Sequence, residues 1–429
     1  MLDMNRIRVD AAGLREAVKA RGLDFPVERL LETDRVRREL QTRVEAARKS
    51  RNECSDAAGN CLRKGLKNEA EFYKEKGRLL NQEVTELELK LSAANAEYSG
   101  VLLLAPNLVS PDTPPGTSDV NNVPLRSCGE VPEMAEWTKD HLELGKLHSM
   151  IDAAGGVKIA GSRGYILRGE GAMLHRAVQQ MAMDFLTGRG FEPVEVPVAV
   201  KEHAMMQAGF FPQGRDQTYS VNDGEFHLAG TAEVPLVAYL SGEILDVTHP
   251  VKLAAASACF RSEAGSAGRD VRGLYRVHQF AKVEQVVVCK DDITTAEALL
   301  NEITGNAEQI LQMLELPYRV VAVCAGDMGH KAYKQYDIET WMPSRQAYGE
   351  THSSSLLLDY QARRANIRFR DGEGRPRYCY TLNNTAVATP RILIPLLEHH
   401  QKEDGSICIP QALQPYMHGR KELKPEAVR

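Results

Sequence analysis

The sequence predicts an α+β protein: an antiparallel two-helix arm followed by a domain built on an antiparallel sheet. Three observations predict it. Residues 28 to about 104 contain no proline and carry apolar residues at coiled-coil spacing. Beyond residue 105, short strand-like runs such as QVVVCK and YRVVAVCAG recur, with one clear helical stretch near 293–315. Neither G-x-x-x-x-G-K-[ST] nor G-x-G-x-x-G occurs, so a P-loop or a Rossmann site on a parallel sheet has no support.

The arm comes first. Leu80, Val84, Leu87, Leu91, Ala94 and Tyr98 fall four, three, four, three and four residues apart, which is a heptad seam. Val36, Leu40, Val44, Ala47, Arg51, Cys54 and Ala58 follow the same spacing with one polar interruption. Gly59 and Gly65 bracket the expected turn. Two helices of thirty-odd residues would reach about 45–50 Å at about 1.5 Å per residue. A hairpin that long buries little core, so reaching a partner is its natural purpose. Arg29, Arg35, Arg38, Arg48 and Arg51 crowd its first helix, and Lys64 flanks its tip. The charges suit an RNA backbone, and they equally suit ion pairs to Glu39, Glu45 and the second helix.

Pro106, Pro111, Pro114, Pro115 and Gly116 form a linker. It divides the chain into an N-terminal domain, 1–105, with the arm at about 28–104, and a second domain, 106–429. In the latter, HRAVQQMAMDFLTGRG at 175–190 reads as an amphipathic helix ending at a glycine, followed by the extended FEPVEVPVAV. The 429 residues are 43% hydrophobic and 26% charged, ordinary for a globular chain. The net charge of −5 gives no global attraction to nucleic acid, so RNA contact needs a local basic face and DNA binding is not expected. There is no apolar run long enough to span a membrane. The N-terminus carries Asp3, Asp10 and Glu16 and lacks an apolar core, so it does not read as a secretory signal. Eight scattered cysteines without C-x-x-C suit reduced thiols in a cytoplasm rather than a zinc site.

The chemistry concentrates in FRSEAGSAGRDVRGLYRVHQFAKVEQ, 260–285. It reads as a strand, a glycine-rich loop (Gly265, Gly268, Gly273) and a returning strand. Residues two apart on a strand share a face, so Phe280, Lys282 and Glu284 point one way. Arg261 and Arg276 can grip phosphate oxygens bidentately, and an aromatic ring can stack on a base. An ordinary charged hairpin remains the alternative on this stretch alone.

This stretch resembles motif 2 of the class II aminoacyl-tRNA synthetases, specifically the seryl-tRNA synthetases. GTAEVPL at 230–236 is similar to that family's serine-binding segment, and LNNTAVATPR at 382–391 opens a match to motif 3, about 382–400. Residues from about 175 to 200, with Pro197, resemble motif 1, and motif 2 spans about 258–285. The resemblance implies ATP-dependent activation of L-serine to seryl-adenylate, then transfer to the 3′ end of tRNA(Ser), with tRNA(Sec) as a further substrate. It implies a cytoplasmic homodimer whose arm grips tRNA. Carried over to these positions, Arg261 holds the α-phosphate and the serine carboxylate, with Ser262 and Val277 beside the nucleotide. Glu263 faces the adenine amino group, Phe280 stacks on the ring, Arg276 meets the terminal phosphates and Arg391 covers the other face or the γ-phosphate. Glu350 and Ser353 match ligands of Mg²⁺, a cation that prefers hard oxygen donors, with Thr351 and His352 between them. Thr231, Ala232, Glu233, Glu284, Asn383 and Thr385 form the serine pocket.

One segment departs from the family. At Leu356 relatives carry asparagine, and at His352 a small hydroxyl residue. Leu356 either removes a polar network from the site or simply packs in the core. A specialised paralogue, serving antibiotic resistance or a biosynthetic pathway, would show itself here. A weakened relative retaining only tRNA binding is opposed by the intact Arg261, Arg276, Glu284 and Arg391.

Overall fold

The computed structural model describes residues 1–265 and 272–425. The chain forms two compact units. One comprises Asp3–Val18 and Leu23–Ala105. The other comprises Met1–Leu2, Lys19–Gly22 and the chain from Pro106 onward.

The first unit is dominated by two packed helices, Val27–Arg63 and Lys67–Leu104. Val44, Ala47, Val84 and Leu87 bury themselves between the helices, with Leu40 and Leu91 packed alongside, as the heptad spacing expects. At 37 and 38 residues the helices are longer than expected, about 55 Å each at about 1.5 Å per residue. The reason is Gly59. It does not bracket the turn but sits inside the first helix, where one glycine costs only about 1 kcal/mol and continued pairing along the hairpin outweighs it. The reversal falls at Lys64–Leu66, with Gly65 at φ +76°, a conformation that favours glycine.

The second unit is built on an eight-stranded sheet: β1 Val123–Cys128, β2 Glu192–Pro193, β3 Val251–Phe260, β4 Gln279–Cys289, β5 Tyr318–Ala322, β6 Lys334–Met342, β7 Ala347–Leu358 and β8 Tyr380–Thr389. Their spatial order is β1-β5-β6-β7-β8-β4-β3-β2. All neighbours are antiparallel except β2 on β3. Arg126 begins a register shift in β1, and the whole of that strand is exposed.

The strands have two chemically different faces, read directly from the period of two. On one face lie Gln285, Asn384 and Ser354, bonded to each other and to the helix Ile293–Met313. Gln285 Nε2 donates to Asn384 Oδ1 at 2.6 Å, Asn384 Nδ2 to Ser354 Oγ at 2.7 Å, and Thr304 Oγ1 to Ser354 Oγ at 2.9 Å. Around this network Val283, Val287, Ile338, Leu382 and Val387 join the helix Gly169–Gly188 in the main core. That helix begins six residues before His175, at Gly169. The other face carries Phe280, Lys282, Glu284, Asn383 and Thr385, and there the functional groups gather.

Leu356 settles on the core side. It is fully buried among Leu358, Leu382 and Ile338 in the main core. The departure from asparagine therefore exchanges a polar group for packing and takes nothing from the cleft.

Candidate active site

β3 and β4 pair antiparallel from Phe260↔Gln279 to Val251↔Val288, so Arg261 leaves the end of one strand where the other begins. Its backbone N–H donates to the His278 carbonyl at 2.9 Å, and its guanidinium lies 5.2 Å from the centre of the Phe280 ring. Gly268 and the rest of the loop from 266 to 271 lie outside the described residues. On the return, Gly273 adopts φ +86°, and a Cβ there would meet His141 Nε2 at 2.4 Å, so both backbone and space require glycine.

A cleft opens beside these residues. Arg261, Glu263, Arg276, Val277, Phe280, Glu350, Thr351, His352, Thr385 and Arg391, all singled out from the sequence, line it. Arg276 Nη1 donates to Glu263 Oε2 at 3.2 Å. Arg391 donates through Nε to the Tyr275 carbonyl and through Nη1 to the Glu350 carbonyl, each at 2.9 Å, and its guanidinium sits 4.4 Å from the Tyr275 ring centre. Three guanidinium groups, an aromatic face and an apolar floor from Leu274 and Pro390 form a site suited to a base bearing phosphates. His352 is buried, and desolvation pulls its imidazole down to about 3, so it is neutral at physiological pH. Its Nδ1 lies 2.8 Å from Thr351 Oγ1, which in turn lies 2.7 Å from Thr340 Oγ1.

Two residues point elsewhere. The Ser262 hydroxyl donates to the Asp216 carbonyl at 2.6 Å, and Ser262 does not line the cleft. Ser353 Oγ donates to Asp337 Oδ1 at 2.6 Å, and neither residue is part of the cleft wall. Burial pushes the Asp337 carboxyl well above the usual carboxylate range, and the negative charge of Glu350 adds to the shift. Of the two expected cation ligands, Glu350 lines the cleft while the Ser353 hydroxyl is taken by Asp337. Among the described residues no three His, Cys, Asp or Glu side chains form a metal-binding group, so protein ligands alone would not complete a coordination shell.

Next to the cleft, Thr231, Glu233, Glu284 and Asn383 converge. Glu233 Oε1 accepts from Lys331 Nζ at 2.6 Å, Gln361 Nε2 at 2.7 Å and Asn383 Nδ2 at 2.8 Å. Glu284 is ion-paired with Lys282. Burial raises the Glu284 carboxyl, an effect that Lys282 opposes and the nearby Glu233 charge reinforces. Burial lowers the Lys331 ammonium, and Glu233 opposes that. Ala232 is fully buried in a second apolar cluster with Val234, Leu236 and Val237, so it can offer only backbone groups. The sequence reading missed Lys331, Gln361, Tyr275 and Leu274. Lys331 lies between two strand-like runs in a segment with no periodicity. Leu274 and Tyr275 lie within 260–285, but Leu274 serves by packing and Tyr275 by its ring and its backbone carbonyl, which residue spacing does not reveal.

The candidate RNA-binding residues of the arm are mostly engaged on the arm itself. Arg29 pairs with Glu97 at 3.0 Å, Arg35 with Glu32 at 2.6 Å and Glu39 at 2.7 Å, Arg38 with Asp34 at 3.0 Å, and Arg48 with Glu88 at 2.7 Å. Arg51 Nη2 donates to Asn52 Oδ1 at 3.1 Å, and Lys64 is exposed at the turn. Glu45, expected among the ion-pair partners, accepts from Gln41. All of these except the pair with the buried Asp34 are exposed and contribute roughly 0–1 kcal/mol each, so a phosphate can displace them at small cost.

The model of the tRNA synthetase class II core domain (G, H, P, S and T) matches residues 217–400, and that of the seryl-tRNA synthetase N-terminal domain matches 1–109. The serine–tRNA ligase of Deinococcus radiodurans is 42% identical over 424 residues, covering 99% of both chains. That of Rubrobacter xylanophilus is 40% identical over 437 residues, again covering 99% of each. A crystal structure of seryl-tRNA synthetase from Pyrococcus horikoshii complexed with ATP superposes with a TM-score of 0.91 at 35% identity over the full length of both chains. Shared sequence, shared fold and the cleft on the polar face of β4 and β8 agree: the chain belongs to the seryl-tRNA synthetase family of class II aminoacyl-tRNA synthetases.

Proposed function

We propose that this chain activates L-serine with ATP and transfers the seryl group to the 3′ end of tRNA(Ser), with tRNA(Sec) as a second acceptor. The observation that carries this reading is the cleft itself, which unites Arg261, Arg276, Arg391 and Phe280 beside the carboxylates Glu233 and Glu284.

The serine carboxylate attacks the α-phosphorus in line, the bond to the β-phosphate oxygen breaks, and pyrophosphate leaves. The enzyme's contribution is alignment and neutralisation of developing charge. Arg261, at the strand end, holds the α-phosphate and the attacking carboxylate. Phe280 supports the adenine. Arg276 and Arg391 draw charge off the outer phosphates, and Glu263, fixed by Arg276, faces the base. Asn383, Thr231 and Thr385 position the substrate's hydroxyl and ammonium against Glu284 and Glu233. When bound, Mg²⁺ would neutralise phosphate charge, and Glu350 on the cleft wall is the group that would hold it. A ribose hydroxyl of the tRNA then attacks the seryl carbonyl and AMP leaves.

The residues 1–105 act as the tRNA-binding domain and 106–429 as the catalytic domain. The protein works as a homodimer in the cytoplasm; no helix among the described residues is long and apolar enough to cross a membrane. The test is serine-dependent exchange of labelled pyrophosphate into ATP, followed by charging of tRNA(Ser). Exchange and charging with serine are expected. No exchange by folded protein would refute the reading, and exchange without charging would identify a specialised paralogue.

A further inference from the structure

Lys331 is rooted in a braced segment beside the serine pocket. Arg21 Nη1 donates to the Gly329 carbonyl at 3.1 Å, and Asn107 Nδ2 to the Lys331 carbonyl at 3.0 Å. From there its ammonium reaches Glu233 Oε1 at 2.6 Å and stands 3.8 Å from the centre of the Phe210 ring. Its side chain is 15% exposed and that of Glu233 5%. The carboxylate is held from two more sides, by Gln361 and Asn383, and Gln361 is itself fixed by Thr381 Oγ1 at 2.8 Å. Glu233 therefore cannot swing away from Lys331 without abandoning three donors.

The charges of the pocket now balance. Glu233 and Glu284 contribute two negative charges, Lys331 and Lys282 two positive ones. Serine adds one ammonium and one carboxylate, the latter assigned to Arg261. Serine's ammonium must therefore share a carboxylate that a lysine already holds, and an analogue with a side-chain amine adds a further ammonium to two carboxylates that already carry two lysines and the α-ammonium. Desolvating a cation without a partner is costly, and setting it beside a fixed ammonium adds repulsion.

We propose that Lys331 is a specificity-determining residue: by occupying Glu233 it closes the amino-acid pocket to substrates that carry a cationic group where serine carries its hydroxyl. This rests on the reading of the cleft as a serine-activating site. It does not depend on which carboxylate the α-ammonium shares, because what matters is the total of cations set against the two carboxylates.

The test compares L-serine with L-2,3-diaminopropionate, its amine isostere, in pyrophosphate exchange and as a competitive inhibitor of serine. Wild type should strongly prefer serine. Lys331→Met removes the charge and keeps the length, so the preference should fall by about tenfold or more. The readout is a ratio, so a general loss of activity cancels. Lys331→Arg should retain the preference. Lys331→Met combined with Glu233→Gln removes both charges together and should restore it, which a purely structural role for Lys331 would not do. An unchanged ratio in Lys331→Met, or a double variant as permissive as the single, overturns the proposal. Should Lys331→Met not fold, the double variant and Glu233→Gln decide. With the ammonium kept and the carboxylate removed, Glu233→Gln must bind diaminopropionate at least about tenfold more weakly, relative to serine, than the double variant. Equal ratios there overturn the proposal. Failure of wild type to activate serine at all would instead count against the underlying reading.

Discussion

At the scale of single residues, Arg261 offers the sharpest division between chemistry and folding. Its side chain is exposed and belongs to no core cluster. Arg261→Ala should therefore leave thermal unfolding unchanged while reducing pyrophosphate exchange by about 10²–10³, the cost of removing one preorganised donor from a developing negative charge. Arg261→Lys should recover little, because an ammonium cannot make the bidentate contact. Exchange by the alanine variant at the wild-type rate would remove Arg261 from the reacting phosphate. Arg261 was legible in the sequence because glycines and a second arginine frame it at fixed spacing. Lys331 was not, because its significance depends on a partner about a hundred residues away, at Glu233. Ser262 and Ser353 show the opposite limit. Adjacency within a motif does not fix the direction of a side chain, and both hydroxyls are taken by acceptors outside the cleft.

Among the elements, the arm helix Val27–Arg63 has a charged anchor at its base. Asp34 has a 1% exposed side chain and is bonded by Arg8 at 2.7 Å, Arg37 at 3.1 Å and Arg38 at 3.0 Å. Burial alone would raise its carboxyl, but hydrogen bonds from the three arginines overcome this and hold it at about 2. Relative to an unfolded aspartate near about 3.9, that depression contributes about 2 kcal/mol of stability. The sign follows from the depressed value. The contribution is complete above about pH 4 and disappears as the pH falls from about 4 through about 2. Asp34→Asn should thus destabilise the arm by about 2 kcal/mol at pH 7 in denaturant titration followed by circular dichroism, and the difference from wild type should vanish near pH 2. A difference that survives at pH 2 would mean that packing rather than charge sets the effect. The sequence showed the helices through their heptads, since period is a local property. It misplaced the turn because Gly59 and Gly65 are equal as residue types. Only the pairing of the two helices decides that the chain reverses after Lys64.

For the whole molecule, the proposed division, with the arm holding tRNA and the second unit activating serine, can be tested directly through the arm's own geometry. Arg37 lies 4.7 Å from the centre of the Tyr98 ring, so the chain leaves and re-enters the hairpin base at neighbouring points, and residues 33–98 can be replaced by a short flexible bridge. Every described side chain that lines the cleft belongs to the other unit. The shortened protein should exchange pyrophosphate with serine as before, while the KM for tRNA(Ser) rises by at least about tenfold, since each lost phosphate contact also removes counterion release from binding. Charging by the intact protein should weaken with added salt, log K falling by about 0.7–0.9 per phosphate contact for each decade of salt, and the slope should flatten once the arm is gone. Arg29, Arg35, Arg38 and Arg48 enter this test already paired with carboxylates. If the arm binds phosphate, the exposed pairs of Arg29, Arg35 and Arg48 must exchange partners, and a steep salt dependence is the signature of that exchange. An arm-deleted protein that charges tRNA with unchanged KM and unchanged salt slope would leave the hairpin without the role proposed for it.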